Sequence, residues 1–193
     1  MNKIPFEQET QNLKARKFLM WLFIVSSSMM FAALTSGYIV YTAESANRGI
    51  KIILPNAFMY STGLILLSSL TMHLAYSSAK KLQFDKQKIY LVLTVLLGIA
   101  FFYAQVKSWS ILFNMGVPFS FNPNASQSFI YVFTGIHLLH IFIGICMLLY
   151  TLLGKLNNIP QVRNLFRLEV SSLFWHFIDI LWIYLYVFLL LNQ

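Results

Sequence analysis

The residues of this chain that could do chemistry are histidines and acids that fall inside long apolar segments. His137 and His140 are three residues apart, and His176 is followed by Asp179 at the same spacing. Residues three or four apart lie on one face of a helix, so each pair would share a face. His73 lies in a further apolar segment. An ionisable side chain in the bilayer centre is costly and is a functional candidate by default.

A metal or haem site is the first interpretation of such histidines. Two histidines on the same side of one helix cannot take opposite axial positions on one haem, so the second ligand would have to be His73 or His176. A carboxylate-bridged metal pair needs Glu-x-x-His motifs from two helices. The buried carboxylates here are only Asp179 and, at the entry to the last apolar segment, Glu169. We therefore expect the histidines to tie helices together by hydrogen bonds, with metal or haem binding as the alternative.

A proton path is the second interpretation, because a His and an Asp one helical turn apart can exchange a proton through water. The competing interpretation is that His176 and Asp179 form a buried pair that fixes helix packing. Glu169, Ser172, His176, Asp179 and Ile183 follow steps of three and four. They line one face of the last helix, and that face should turn toward protein.

The elements that hold these residues follow from the composition. The chain has 193 residues, of which 58% are hydrophobic and 10% charged, whereas a soluble domain is about a quarter charged. A membrane-spanning helix needs about 20 apolar residues. The length therefore allows four to six spans and leaves no room for a separate soluble domain. The single cysteine, Cys146, excludes an intrachain disulfide and a cysteine-based metal site.

Five apolar segments meet the length requirement, and the first of them is too long for a signal peptide. They lie at about 18–43, 56–79, 89–109, 127–154 and 170–191. We therefore predict an all-α polytopic membrane protein. A cytoplasmic arm at 1–17 precedes a single five-helix membrane domain at 18–193.

The basic residues are distributed unevenly between the two sides of the predicted membrane. The N-terminal arm and the loops after spans 2 and 4 carry 11 Lys and Arg, and the opposite side carries three. Basic residues gather in loops that stay cytoplasmic, so we expect the N-terminus in the cytoplasm and the C-terminus outside. The net charge of +8 has the same explanation, and we expect no nucleic-acid partner.

The last two spans carry two specific stretches, TGIHLLHIFIG and EVSSLFWHFIDILWIYLYV. They resemble the signature sequences of subunit III of the haem–copper respiratory oxidases. In that family a G-x-H-x-x-H-x-x-x-G helix is followed by a helix with an acidic residue and a W-H-F-x-D-x-x-W motif. Weaker similarity extends over about residues 18–193, and five spans match the five-helix bacterial form. The matching residues are Gly135, His137, His140, Gly144, Glu169, Trp175, His176, Phe177, Asp179 and Trp182.

The resemblance implies a non-catalytic subunit of a terminal oxidase in the bacterial inner membrane. Haem and copper belong to partner subunits, and this chain is expected to bind no redox cofactor. It is expected to hold structural phospholipids, to support sustained turnover and proton uptake by subunit I, and to ease oxygen access. The implied partners are subunits I and II. A small subunit IV, and a supercomplex with a quinol:cytochrome c reductase such as alternative complex III, are further partners compatible with the resemblance.

One lipid site is implied by the family pattern, and two positions depart from it. In relatives the second His of the H-x-x-H pair lies near a lipid headgroup, with a basic residue about four turns later. These positions correspond to His140 and, with a shift of one residue, Lys155. Ser27 and Ser108 stand where the family usually has glutamates, so no role of those carboxylates is carried over.

Two functions of other classes stay open on the sequence alone. One is a haem- or quinone-binding membrane anchor of another respiratory enzyme, with His73, His140 or His176 as ligands. The other is a small proton-coupled carrier that uses Asp179. The choice between cytochrome c and quinol as electron donor lies in other subunits.

Overall fold

The computed structural model is a bundle of five long α-helices. In chain order these are α1 Phe6–Ala43, α2 Asn56–Lys80, α3 Phe84–Asn114, α4 Ala125–Leu156 and α5 Gln161–Leu191. The structure describes residues 6–44, 49–50, 54–119, 125–156 and 161–192. Each of the five helices is long and apolar enough to cross a membrane. The prediction of an all-α fold with five membrane-length helices is confirmed.

The helices extend beyond the apolar segments that predicted them. α5 begins at Gln161 and α3 runs from Phe84 to Asn114, whereas the predicted spans were 170–191 and 89–109. The end of an apolar segment marks where contact with lipid ends. The helix itself continues into polar residues, because its backbone hydrogen bonds do not depend on apolar side chains. Because α1 is continuous from Phe6 to Ala43, the division between arm and membrane domain at residue 18 stays a prediction.

Two helix ends are closed by the same backbone motif. After α3, the Val117 amide bonds the Leu112 carbonyl and Gly116 takes a positive φ of 81°. After α2, the Gln83 amide bonds the Ser78 carbonyl and the residue with positive φ is Leu82, at 58°. At each end, the residue with positive φ lets the chain turn so that backbone amides bond the last helix carbonyls, which would otherwise lack a donor.

Helix α5 is the centre of the bundle. It packs against α4, α2 and α1, while α2 and α3 form the most extensive helix pair. In the most apolar part of α4 and of α5, half of the residues are buried within the bundle. In the most apolar part of α1, only 22% are buried. α1 is therefore a peripheral helix held against α4 and α5.

Candidate functional site

Trp175 is the residue on which α2, α3, α4 and α5 converge. Its side chain is fully buried, and its indole Nε1 donates a hydrogen bond to Ser68 Oγ on α2 at 2.8 Å. The ring lies directly against the backbone of Gly98 on α3 and of Gly144 on α4. A Cβ at these glycines would come within 2.8 Å and 3.0 Å of the ring. Two glycines thus form the slot that accepts the tryptophan.

Trp182, two turns further along α5, makes a second connection to α2. Its Nε1 donates to Thr62 Oγ1 at 3.0 Å, and its ring stacks on Phe58. The ring of Phe101 on α3 meets it edge-on, with ring centroids 5.0 Å apart. The two tryptophans of the W-H-F-x-D-x-x-W stretch therefore fix the register between α5 and α2.

His140 ties α4 to α1. Its Nδ1 is 2.8 Å from the Ile136 carbonyl oxygen, which can only accept, so Nδ1 carries the proton. Nε2 is then the acceptor for the hydroxyl of Ser27 at 3.2 Å. The ring is buried and contacts Phe31 and Phe23. Both nitrogens of His140 are thus engaged within the protein.

Glu169 ties α5 to the beginning of the first helix. Its carboxylate lies 2.6 Å from Lys17 Nζ, with both side chains partly exposed. Further along the same two helices, Thr35 Oγ1 and Tyr184 Oη are 2.8 Å apart. These contacts place α1 and α5 parallel, with their N-terminal ends together.

His176 and Asp179 share a face of α5, as their spacing predicted, but no hydrogen bond joins them. Nδ1 of His176 is 3.9 Å from Asp179 Oδ2 and bonds Ser69 Oγ at 2.8 Å. The His73 ring lies beside that of His176, with centroids 6.5 Å apart. Asp179 is buried, and its carboxyl oxygens have no hydrogen-bond partner among the described residues. The Ser69 hydroxyl of α2 is therefore bonded to His176.

His137 differs from the other motif residues. It is fully buried between Trp182 and Phe101, with ring centroids 5.0 Å and 5.8 Å away. Neither of its ring nitrogens has a hydrogen-bond partner in the described part of the chain. Its surroundings are aromatic, so in this structure it serves as a packing residue of α4.

The two remaining sequence-predicted positions are separate from this core. Ser108 is buried, and its hydroxyl donates to the Ala104 carbonyl at 2.8 Å on its own helix. The Lys155 backbone belongs to α4, but its side chain lies outside the described part of the structure. Its pairing with His140 around a lipid headgroup therefore stays a prediction.

A basic pocket lies where the start of α1, the end of α4 and the start of α5 meet. It has a volume of about 300 Å³, and its walls include Arg16, Arg163 and Arg167. The Arg167 guanidinium lies over the Tyr150 ring at 4.3 Å. A second, more apolar pocket of about 150 Å³ shares Arg16, Arg167 and Tyr150 and reaches further along α4 and α5. The sequence analysis did not identify this pocket, because Arg16 is far in the chain from Arg163 and Arg167.

The sequence favoured Ser68 and Ser69 as small-residue helix contacts, but it did not show which side chains they bond. Thr62, Ser68 and Ser69 accept or share the hydrogen bonds of Trp182, Trp175 and His176. Ser68 and Ser69 follow Thr62 by six and seven residues, about two helical turns, and this spacing of small hydroxyl residues could have indicated a contact face. Such residues are common at membrane helix contacts. In the described part of the chain, no three His, Cys, Asp or Glu side chains come together as a metal site.

The matching residues of α4 and α5 thus make contacts with α1, α2 and α3 as well as with each other. Comparison with known proteins identifies the family. A family model described as "Cytochrome c oxidase subunit III" matches residues 7–192. The chain belongs to the cytochrome c oxidase subunit III family. The resemblance stated from the sequence is confirmed, and family membership favours it over the anchor and the carrier.

Bacterial subunit III proteins are similar over most of their length. Cytochrome c oxidase subunit 3 of Bacillus sp. (strain PS3) is 30% identical over 88% of this chain and 83% of the relative. The protein of the same name from Alkalihalophilus pseudofirmus is 28% identical over 95% of this chain and 90% of the relative. Cytochrome bo(3) ubiquinol oxidase subunit 3 of Buchnera aphidicola is 30% identical over 91% and 85%. The chain is therefore similar both to subunits III of cytochrome c oxidases and to a subunit III of a ubiquinol oxidase.

Proposed function

We propose that this protein is the non-catalytic subunit III of a haem–copper terminal oxidase in a bacterial plasma membrane. It assembles with subunits I and II, which hold the haem and copper, and carries no redox centre itself. Its N-terminus lies in the cytoplasm and its C-terminus outside. A small subunit IV and a supercomplex with a quinol:cytochrome c reductase are further partners in this proposal.

One observation supports the proposal: four of the motif residues use their polar atoms to hold helices together, whereas His137 and Asp179 have no hydrogen-bond partner among the described residues. Trp175 and Trp182 bond hydroxyls of α2, His140 bonds α1, and Glu169 pairs with Lys17 of α1. The polar atoms of these four residues are therefore used within the protein. The bonded geometry therefore supports a structural subunit whose stability serves subunit I.

The basic pocket is where we propose that a structural phospholipid binds. Arg16, Arg163 and Arg167 would face a phosphate, and the adjoining apolar pocket along α4 and α5 would receive the start of an acyl chain. Lys155 belongs to the last turn of α4 and would add charge at this end. His140 would act indirectly, because its nitrogens are engaged by Ile136 and Ser27 and it thereby positions α1.

Support of turnover and proton uptake by subunit I, and oxygen access, complete the proposed role. Apolar surfaces dominate the outside of the bundle, as on Phe18, Ile180 and Leu191. Molecular oxygen is more soluble in such an environment than in water. The bundle would therefore form an apolar reservoir beside the catalytic subunit.

Co-purification in mild detergent tests the complex. We expect a tagged version of this chain to retain a haem-containing subunit I and a subunit II, identified by mass spectrometry. After separation from them, the chain should hold no stoichiometric haem or copper. Isolation of the chain without oxidase subunits, or a stoichiometric Soret band in the separated chain, would contradict the proposal.

Lipid analysis tests the pocket. Arg163→Gln combined with Arg167→Gln should reduce the anionic phospholipid retained per complex, because two of the three pocket charges are lost. The control is Lys86→Gln together with Lys88→Gln, which removes the same charge from exposed positions on α3. Equal lipid retention by both double variants would exclude the pocket as the binding site.

A further inference from the structure

A cavity larger than the basic pocket lies on the α2–α3 pair, at the end where α2 begins and α3 ends. It has a volume of about 660 Å³. On each helix its lining residues recur at steps of three and four, as residues of one helical face do. They include Ala57, Tyr60 and Leu64 on α2, and Ala100, Ala104 and Lys107 on α3. We call this space the α2–α3 cavity.

Small residues leave room for the α2–α3 cavity, and two tyrosines border it. Ala57, Ala100 and Ala104 are half-buried, so the methyl groups of both helices fill little of the space between them. Tyr60 and Tyr103 line the same space and are 71% and 70% exposed. A tyrosine combines an apolar ring with a hydroxyl that donates and accepts hydrogen bonds. The cavity is therefore apolar, with hydroxyl groups available at its border.

Lys107 brings one positive charge to the α2–α3 cavity. It precedes Asn114, the last residue of α3, by seven residues, which places it about 10 Å along the helix axis from that end. None of the lining residues is acidic. Lys107 makes no ion pair or hydrogen bond with any residue that the structure describes. A lysine at this depth is costly unless an anion pairs with it or its ammonium group reaches the interface.

We propose that the α2–α3 cavity binds one anionic phospholipid. Its phosphate pairs with Lys107, and the hydroxyls of Tyr60 and Tyr103 donate hydrogen bonds to its phosphate or ester oxygens. The beginning of an acyl chain lies against Leu64 and Ala100, which are further from the helix ends than Lys107. The unpaired charge decides the class of ligand, because a lipid with net negative charge gains more from one lysine than a zwitterionic lipid does.

This site is separate from the basic pocket. In the first turn of α4, Gln127 Nε2 donates to the Ile50 carbonyl, just before α2, at 3.3 Å. α2 and α4 therefore begin at the same end of the bundle, whereas the basic pocket lies at the end of α4. The two lipids would occupy opposite leaflets. In the proposed orientation the α2–α3 cavity faces the outer leaflet, and this leaflet assignment alone rests on the proposed function.

Photo-cross-linking in vesicles tests the occupant and its charge. The complex is reconstituted with equal amounts of phosphatidylglycerol and phosphatidylcholine, and a photoreactive benzophenone residue replaces Tyr60. We expect phosphatidylglycerol adducts in about fivefold excess, which corresponds to about 1 kcal/mol for one cation near a membrane surface. The control position is Met59, which is 65% exposed and does not line the cavity. Its adducts should show no preference between the two lipids.

A charge variant tests the role of Lys107 in the same experiment. Lys107→Gln removes the charge from an exposed side chain of similar length, so the adduct ratio at Tyr60 should fall to about one. Lys86→Gln, at an exposed position near the other end of α3, is the matched control and should keep the excess. A ratio that Lys107→Gln leaves unchanged, or the same ratio at Tyr60 and Met59, would overturn the proposal.

A second variant fills the cavity without changing its charge. Ala104→Leu adds apolar bulk to a half-buried lining position, so the excess of phosphatidylglycerol adducts at Tyr60 should fall although Lys107 is present. Ala104→Ser leaves the cavity open and should keep it. Gel filtration verifies that both variants fold. An undiminished excess in folded Ala104→Leu would show that Lys107 acts only as a surface charge, and would overturn the site.

The remaining outcomes concern other occupants and the proposed function. Adducts of Tyr60 with another subunit or with a second copy of this chain, in place of lipid, would show that protein covers the cavity and would overturn the proposal. The lipid ratio is also measured on the full chain reconstituted by itself. A chain that does not co-purify with an oxidase therefore contradicts the proposed function, and the adduct ratio separately decides this inference.

Discussion

The Trp175 indole ring occupies the space that a side chain at Gly144 would need. A Cβ at Gly144 would lie 3.0 Å from two ring carbons of Trp175 and 3.1 Å from Ile178 Cδ1. The last glycine of the G-x-H-x-x-H-x-x-x-G stretch and the first tryptophan of the W-H-F-x-D-x-x-W stretch are therefore one structural unit. Two motifs that are separate in the sequence meet at this contact between α4 and α5.

Gly144→Ala should destabilise the protein because the added methyl group overlaps a ring that is itself fixed by Ser68. Overpacking of this kind costs about 1–3 kcal/mol. The control is Gly63→Ala on α2, where an added Cβ meets nothing within 4 Å. The measurement is the thermal unfolding midpoint of the purified protein in detergent. A midpoint for Gly144→Ala equal to that of Gly63→Ala would show that the ring can move aside.

Trp175→Phe should lose the buried hydrogen bond to Ser68 and leave space between Gly98 and Gly144. A cycle with Ser68→Ala isolates the hydrogen bond, and we expect a coupling of about 0.6 kcal/mol and at most about 1.7, as for other pairs in membrane helices. Unfolding in mixed micelles of increasing denaturing-detergent content gives the four free energies. Strict additivity of the two changes would show that the bond contributes nothing to stability.

Ser27→Ala should weaken the attachment of α1, because His140 Nε2 would lose its donor in a buried setting. We expect a loss of about 0.5–1.5 kcal/mol. Ser26→Ala, at an exposed neighbouring position of the same helix, is the matched control. The effect is measured by differential scanning calorimetry of the assembled complex, or by the rate at which a protease releases α1. Identical behaviour of the two alanine variants would count against the Ser27–His140 bond.

Asp179→Asn should leave assembly and initial oxidase turnover close to those of the unmodified complex. The substitution keeps the size of a buried side chain that has no bonded partner in the described part of the chain. Asp179→Leu should also assemble, because among the described residues no hydrogen-bonded partner of Asp179 is left unsatisfied. Turnover and proton pumping are measured from the first cycles onward. Normal assembly of Asp179→Asn with pumping abolished at once would mean that Asp179 belongs to a proton path.

The helices could be predicted from the sequence because a membrane imposes a length and a polarity on each span. The shared face of His176 and Asp179 followed from their spacing in the same way. Their partners could not be predicted, because a helix period says which face a residue is on and not which neighbour that face meets. The spacing of His176 and Asp179, for example, did not show that Ser69 of α2 bonds His176.

The glycines illustrate a second limit of the sequence. Gly98 and Gly144 lie 46 positions apart, and both contact Trp175. The family pattern included Gly144 and Trp175 without stating that they touch. The role of Gly98 follows only from three-dimensional packing, since isolated glycines in apolar helices have many uses. The basic pocket could not be predicted for the same reason, because its arginines come from two helices, α1 and α5.

The sparse attachment of α1 has a consequence for biogenesis. α1 leaves the ribosome before the two helices that it packs against, α4 and α5. The α2–α3 hairpin can pair as soon as it is inserted, whereas α1 must wait in the lipid until residues beyond Gln161 arrive. During that interval its apolar surface faces lipid, and Lys17 has no access to the carboxylate of Glu169. Truncation before α5 would leave α1 without the carboxylate of Glu169, and quality-control proteases could recognise the unattached helix.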